Sequence, residues 1–178
     1  MYPIVRLVWQ LFKHRKDAPL GITDTHVSRH MCLPLDIDLW MELNNGRTLT
    51  IFDLGRIPLG QRVGLLGVLK RKKWGLTVAG ASIRYRRRIR MFETIEMRSR
   101  AVWWDDKFTY IEQSMWKRSG ECANHILLRT AVTGASGIVP PTHVMDEIGP
   151  QVSCPKAPAW VTAWIAADAE RPWPPMQE

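Results

Sequence analysis

The stretch Asp36-Ile37-Asp38-Leu39-Trp40-Met41-Glu42-Leu43-Asn44-Asn45-Gly46-Arg47-Thr48-Leu49-Thr50-Ile51-Phe52-Asp53-Leu54-Gly55-Arg56 decides how this chain is read. Two carboxylates, Asp36 and Asp38, run into an Asn-Asn-Gly, and an amphipathic helical pattern follows at once. Counted from Asn45, residues Leu49, Phe52 and Asp53 recur at three- and four-residue spacing, with Leu54 beside them. Asn at a helix start caps backbone amides that have no intrahelical acceptor. Amides left free there, with the helix dipole behind them, polarise a carbonyl or hold an anion. A carboxylate just upstream can face the same spot as base or nucleophile. The segment has the makings of an acyl-transfer site, although Asp36 and Asp38 also read as turn residues and Asn45 as a plain cap.

On the C-terminal side, Pro58 should end or kink the helix near Arg56, with a second short helix from Leu59 to about Leu69. Lys70 to Lys73 form a basic turn. Strands are expected over Leu76–Arg90, Thr94–Trp104, Lys107–Lys117 and Cys122–Val132, the last entered through a Ser119-Gly120 turn. Long consecutive strands with short turns predict an antiparallel meander. Beyond Gly134 the chain is rich in Pro and Gly, with helical patterns over Thr142–Ile148 and Trp160–Ala169. On the N-terminal side, Asp17–Asp24 reads as a linker. In His26–Leu35 the odd positions Val27, Met31, Leu33 and Leu35 are apolar, with Arg29 the exception. That predicts a strand burying this face, with Pro34 marking its end as an edge.

This order of residues resembles the hotdog-fold thioesterases, specifically the branch of 4-hydroxybenzoyl-CoA thioesterase and its acyl-CoA thioesterase-like relatives. The family pattern runs Asp-x-Asp-x-Asn-x-His-Met/Val-Asn-Asn-x-x-Tyr-Leu, with an acidic residue four positions after the Leu. Asp36, Asp38, Asn44, Asn45, Leu49 and Asp53 match it, while Trp40, Glu42 and Thr48 stand where Asn, His and Tyr are common. The likeness extends more weakly over about residues 22–145. It implies an α+β hotdog fold, an antiparallel sheet wrapped around a central helix, with an extra N-terminal helix and a C-terminal extension. The implied boundaries are 1–20 for the N-terminal helix and linker, 21–145 for the hotdog domain and 146–178 for the extension.

The resemblance also implies roles. Asp38 would be nucleophile or general base in hydrolysis of an acyl-CoA thioester. The amides of Asn45 and Gly46 would donate to the developing oxyanion, and Gly46 would let the ligand approach the backbone. Glu42, in place of an imidazole, would either bring a second carboxylate to Asp38 or face solvent. Trp40, a departure from the pattern, would either wall the pocket on the substrate or block it. Asn44 would flank the substrate, and Asp53 matches an acidic position catalytic in another hotdog branch, so it stands in reserve. Arg84, Arg86 and Arg88 share one face of the expected strand, a row suited to the phosphates of CoA. A solvated edge that guards against aggregation is the plain alternative. A homodimer or dimer of dimers would cover the sheet edge. The missing imidazole and Trp40 leave a second function open, a non-catalytic acyl-CoA binding or sensing protein.

The net charge of +8 implies a polyanionic partner: nucleic acid, a membrane surface or a phosphate-bearing ligand such as CoA. The arginine run lacks the interleaved aromatics of RNA-binding modules, so no nucleic-acid partner is expected. Three cysteines without a CxxC pair argue against a zinc ribbon or a disulfide framework and point to a reducing cytoplasm. The five histidines, His14, His26, His30, His125 and His143, form no metal-ligand spacing, and no cofactor-binding motif is present, so neither metal nor cofactor is expected. Nine tryptophans fit a large core or an interface, or alternatively a ligand cleft. Before Lys13-His14-Arg15-Lys16 the chain places Ile4, Val5, Leu7, Val8, Trp9, Leu11 and Phe12, a run too short to span a bilayer and without a basic signal-peptide start. An amphipathic helix packed on the domain is the favoured expectation, with weak membrane-surface contact the other.

Overall fold

A computed structural model describes residues 2–149 and 153–176; Met1, residues 150–152 and the last two residues of the expected extension lie outside the described residues. Helix α1 (Ile4–Lys13) and strand β1 (His26–Met31) precede one 3-10 turn (Pro34–Asp36) and the central helix α2 (Asn45–Arg62). A short helix α3 (Leu65–Lys72) leads to β2 (Gly75–Tyr85), β3 (Thr94–Trp104), β4 (Thr109–Trp116), β5 (Cys122–Gly134) and β6 (Gly137–Val139). Two helices close the chain, α4 (Pro141–Ile148) and α5 (Ala159–Ala169). Among the described residues no helix is long and apolar enough to cross a membrane.

One antiparallel sheet, ordered β1-β3-β4-β5-β2 with β6 on β5, curls around α2 in the α+β hotdog arrangement. Asn44 starts the helix: its Oδ1 accepts from the Arg47 amide at 3.0 Å. Ile51, Phe52 and Leu54 are buried against Ile95 and Met97 of β3, Ile111 and Met115 of β4, and Ile126 and Leu128 of β5. Each such side chain contributes about 1.5–3 kcal/mol by leaving water. Gly55 brings the helix down onto β3, since a Cβ there would overlap the Met97 sulfur and lie 2.9 Å from Ser99 Oγ. Gln113 bridges the same layer, donating to the Phe52 carbonyl and to Ser99 Oγ, both at 2.8 Å. On the outer face α5 covers part of the sheet, burying Val161 with Tyr110 and Leu127 beside Trp103 and Trp164.

Four local expectations change. Pro58 does not end or kink the central element near Arg56: α2 runs on to Arg62, because buried Leu54, Pro58 and Leu59 hold it against the core despite one missing amide. Strand β2 stops at Tyr85 rather than Arg90, where the amides of Arg86 and Arg87 both turn onto the Ala123 carbonyl, at 2.8 and 3.1 Å. The three-strand meander β3-β4-β5 holds, yet β2 pairs with β5 and leaves β3 to β1. On β1 the buried face is the even one, His26, Ser28 and His30, while Val27 and Met31 face outward. Polar partners make that burial possible. Arg62 Nη1 lies 3.1 Å from His26 Nδ1, Ser28 Oγ lies 2.8 Å from His30 Nε2, and His14 stacks edge-on to His26.

Candidate active site

Residues 33–44 build the approach to α2. Asp36 is almost fully buried and anchors the segment: its carboxylate accepts from Arg6 Nη1 (2.6 Å), Arg47 Nε (2.7 Å) and the Leu33 amide (2.9 Å). These donors hold its carboxyl below the usual carboxylate range, against the opposing effect of burial. Next comes a tight turn. Ile37 pairs with Leu43, the Asp38 amide donates to the Glu42 carbonyl (2.9 Å), and the Met41 amide donates to the Asp38 carbonyl (3.1 Å). Met41 takes φ +58° to close it. Ile37 and Leu43 point to the core, so Asp38 and Glu42, opposite each other across the turn, stand on the other side.

Each side chain of the turn has a definite place. Asp38 Oδ1 accepts from the Trp40 amide at 2.8 Å, the local capping bond that a turn Asp makes. Trp40 is at the tip and 76% exposed. Glu42 bridges to the loop after β2: its backbone pairs with Arg90 and its carboxylate lies 2.8 Å from Arg88 Nε. The Leu43 amide donates to the Ile89 carbonyl at 2.8 Å and locks the two loops together.

A cleft of about 200 Å³ opens at the start of α2, walled by Glu42, Asn45, Tyr85, Arg86, Arg88 and Asn124. The amides of Asn45 and Gly46, first in the helix, donate to no acceptor among the described residues. Tyr85 donates from its hydroxyl to the Asn45 carbonyl at 3.1 Å, and burial raises its pKa. The fold therefore gathers Glu42, Asn45, Arg86 and Arg88 around one opening. Asp38 and Trp40 lie outside its walls, on the turn that carries Glu42. Arg84 remains exposed on β2, opposite His125, so the three arginines do not form one row. Asp53 lies on the side of α2 that meets α1, bound to Arg56 (2.5 Å) and accepting from Tyr2 (3.1 Å). Tyr2 is exposed, but the burial it does have, and then the Asp53 carboxylate beside it, push its pKa up to about 12.

Tyr85 and Asn124 are cleft residues that the sequence does not announce. Tyr85 had one usable signal, an aromatic inside an arginine run on the helix-facing alternation of Ile83. Asn124 had none. Among the described residues no three His, Cys, Asp or Glu gather in a metal-binding group, and Cys32, Cys122 and Cys154 are unpaired. A second, apolar cavity of about 80 Å³ lies at the far end of α2, between Leu59, Val63, Ile111, Val132 and Met145. Buried Ile51, Phe52 and Leu54 occupy the helix between the two openings.

A family model described as the thioesterase-like superfamily matches residues 32–165. Protein THEM6 of Xenopus laevis is 33% identical over 141 residues, which cover 79% of this chain and 67% of that protein. Across it and the proteins of the same name from Drosophila melanogaster and Danio rerio, the chain spans 67%, 58% and 63% of the relatives' length. The DHNA-CoA thioesterase of Staphylococcus aureus matches with a TM-score of 0.61 at 11% identity, over 82% of this chain and 91% of that one. SAV2348 of the same organism, solved in complex with CoA, matches with a TM-score of 0.60 at 10% identity, over 78% and 94%. At such identities the two structures attest to the shared fold alone.

Proposed function

This chain belongs to the thioesterase-like superfamily, and from that membership we propose that it hydrolyses the thioester of an acyl-CoA. The observation that carries the proposal is the cleft at the start of α2, which joins a carboxylate, free helix-start amides and two arginines. The thioester carbonyl sits at Asn45 and Gly46, whose N–H groups stabilise the charge that develops on oxygen during attack. Asp38, on the turn beside the cleft rather than in its wall, is the nucleophile or general base. Its carboxylate adds to the carbonyl and expels the CoA thiolate, so that water then opens the acyl anhydride, or it takes a proton from the water that attacks the carbonyl as the thiolate leaves. Its Oδ1 is engaged by the Trp40 amide, which leaves Oδ2 for this task. Glu42, across the turn, is the second carboxylate and is held by Arg88.

Arg86 and Arg88 take the CoA phosphates, with Arg84 beyond them on β2, because planar guanidinium forks bind phosphate oxygens in pairs. Trp40 and Asn44 flank the acyl group, and Asp53, already paired, is the reserve carboxylate. The CoA complex of SAV2348 supports a ligand of this class. Strand β2 is exposed along almost its whole length, and an unpaired edge of that size is a template for a second strand. A homodimer or dimer of dimers, pairing β2 with its copy, is the assembly proposed. Residues 21–145 form the catalytic unit, flanked by 1–20 and 146–178, and three unpaired thiols support a cytoplasmic location.

A second reading is favoured by one observation: Asp38 and Glu42 are both engaged already, by the Trp40 amide and by Arg88. Under it the protein binds acyl-CoA without cleaving it. Thiol release from acyl-CoAs of graded length separates the two. Turnover supports the thioesterase. Tight binding by calorimetry with no thiol released from any of them supports the binding protein.

A further inference from the structure

We propose that the outward face of α1 docks on an anionic lipid bilayer, a surface role that does not rest on the thioester chemistry. α1 is attached through one side. Arg6 grips Asp36 and the Met31 carbonyl (2.6 and 2.8 Å), Gln10 and His14 are buried, and Leu7 packs on the core. The opposite side is the apolar one. Ile4, Val5, Val8, Trp9 and Phe12 are each more than half exposed, and Val5 reaches 83%. At the helical angle per residue these five positions cover an arc of about 140°. A packed helix turns such an arc inward, so this one is presented for a partner.

The charges around the arc identify the partner. Lys13, Arg15 and Lys16 follow it directly, and the Arg15 guanidinium lies 3.5 Å over the Phe12 ring, so a cation prolongs the stripe. No Asp or Glu occurs between residues 1 and 16, and the chain as a whole carries +8. An apolar face with a tryptophan and a bordering cation cluster matches the boundary between acyl chains and anionic head groups. A second copy of the chain fits less well, because its own α1 brings more cations and no carboxylate to meet them. Ten residues lie flat in that boundary as a helix of about 15 Å.

The test is co-sedimentation of the full chain with vesicles of phosphatidylcholine alone, or with about one-quarter phosphatidylglycerol. Binding is expected to the mixed vesicles, with several-fold weakening in about 0.5 M salt. Val5→Asp and Trp9→Asp, both at exposed positions, should each reduce vesicle binding about tenfold or more while leaving the circular dichroism spectrum unchanged. Lys13→Glu, outside the apolar arc, should reduce it on charge alone. No binding of the wild type, or equal binding by wild type and Val5→Asp, overturns the proposal. So does sedimentation equilibrium in which Val5→Asp splits a larger assembly, because then a second copy covers the stripe.

Discussion

Acidification from about pH 7.5 to about pH 5 should remove about 4 kcal/mol of folding stability through two side chains, His26 and His30. Both are buried on the helix-facing side of β1. His26 has its pKa lowered to about 4, by burial first and then by the neighbouring His14, Arg62 and Lys13, with Asp17 opposing them. The Arg62 guanidinium at 3.1 Å requires Nδ1 to be an acceptor, which is the neutral ring. His30 is lowered to about 3, again by burial first, then by Arg6, His26, Lys13 and His14. Above about pH 6.5 both states are neutral at these positions and nothing is lost. Below it the unfolded chain binds two protons that the folded chain refuses, so stability falls with pH until the folded groups titrate. Each histidine loses about 1.36 kcal/mol per pH unit, about 2 kcal/mol by pH 5. Against a typical total of about 5–15 kcal/mol this is a large share. Carboxylates held low, such as Asp36 and Glu112, act in a lower window, beneath about pH 4.5. Urea denaturation at a series of pH values reads the slope, and His26→Gln should remove about half of it. A midpoint that stays constant between about pH 7.5 and 5, or a ring titration near 6.5 for His26 in the folded protein, refutes the reasoning.

Asp36→Ala removes the carboxylate shared by Arg6, Arg47 and the Leu33 amide, and should cost about 3–5 kcal/mol by chemical denaturation, with α1 released to proteolysis. A cost below about 1 kcal/mol contradicts a structural role for this ion triad. Gly55→Ala drives a methyl into Met97 and Ser99, and should cost about 1–3 kcal/mol, a fall of several degrees in Tm. An unchanged melting curve would mean that α2 does not sit this close to β3. Arg88→Ala leaves Glu42 without its ion-pair partner, and should raise KM for acyl-CoA more than it lowers kcat.

The start of α2 was legible because its signals are local. An Asn cap, the three- and four-residue spacing of Leu49, Phe52 and Asp53 and the two upstream carboxylates lie within one short segment, although of that face Phe52 is buried with Leu54 while Leu49 is exposed. The buried side of β1 was not legible. Apolar alternation at Val27 and Met31 argues for the odd face, but the partners of His26 come from Arg62 and from α1, far away in sequence. The end of β2 was equally hidden, since nothing in Arg84-Tyr85-Arg86-Arg87-Arg88 announces that two amides will share the Ala123 carbonyl. Within the candidate site, Asn45 could be found from the motif, whereas the meeting of Glu42 with Arg88 joins loops 46 positions apart. The outward orientation of α1 is a fourth case. Its helical pattern is plain, yet the contacts that fix which side faces the domain, Arg6 on Asp36 and the Met31 carbonyl and Leu7 on the core, come from outside the helix.

The role of Asp38 is tested most directly by acyl-CoA hydrolysis rates for wild type beside Asp38→Asn. Asparagine keeps the oxygen that accepts from the Trp40 amide, so the turn is retained and only the basic carboxylate is lost. A fall in kcat of about 100-fold or more, with acyl-CoA still bound, is the predicted result. Equal rates for the two proteins would contradict it.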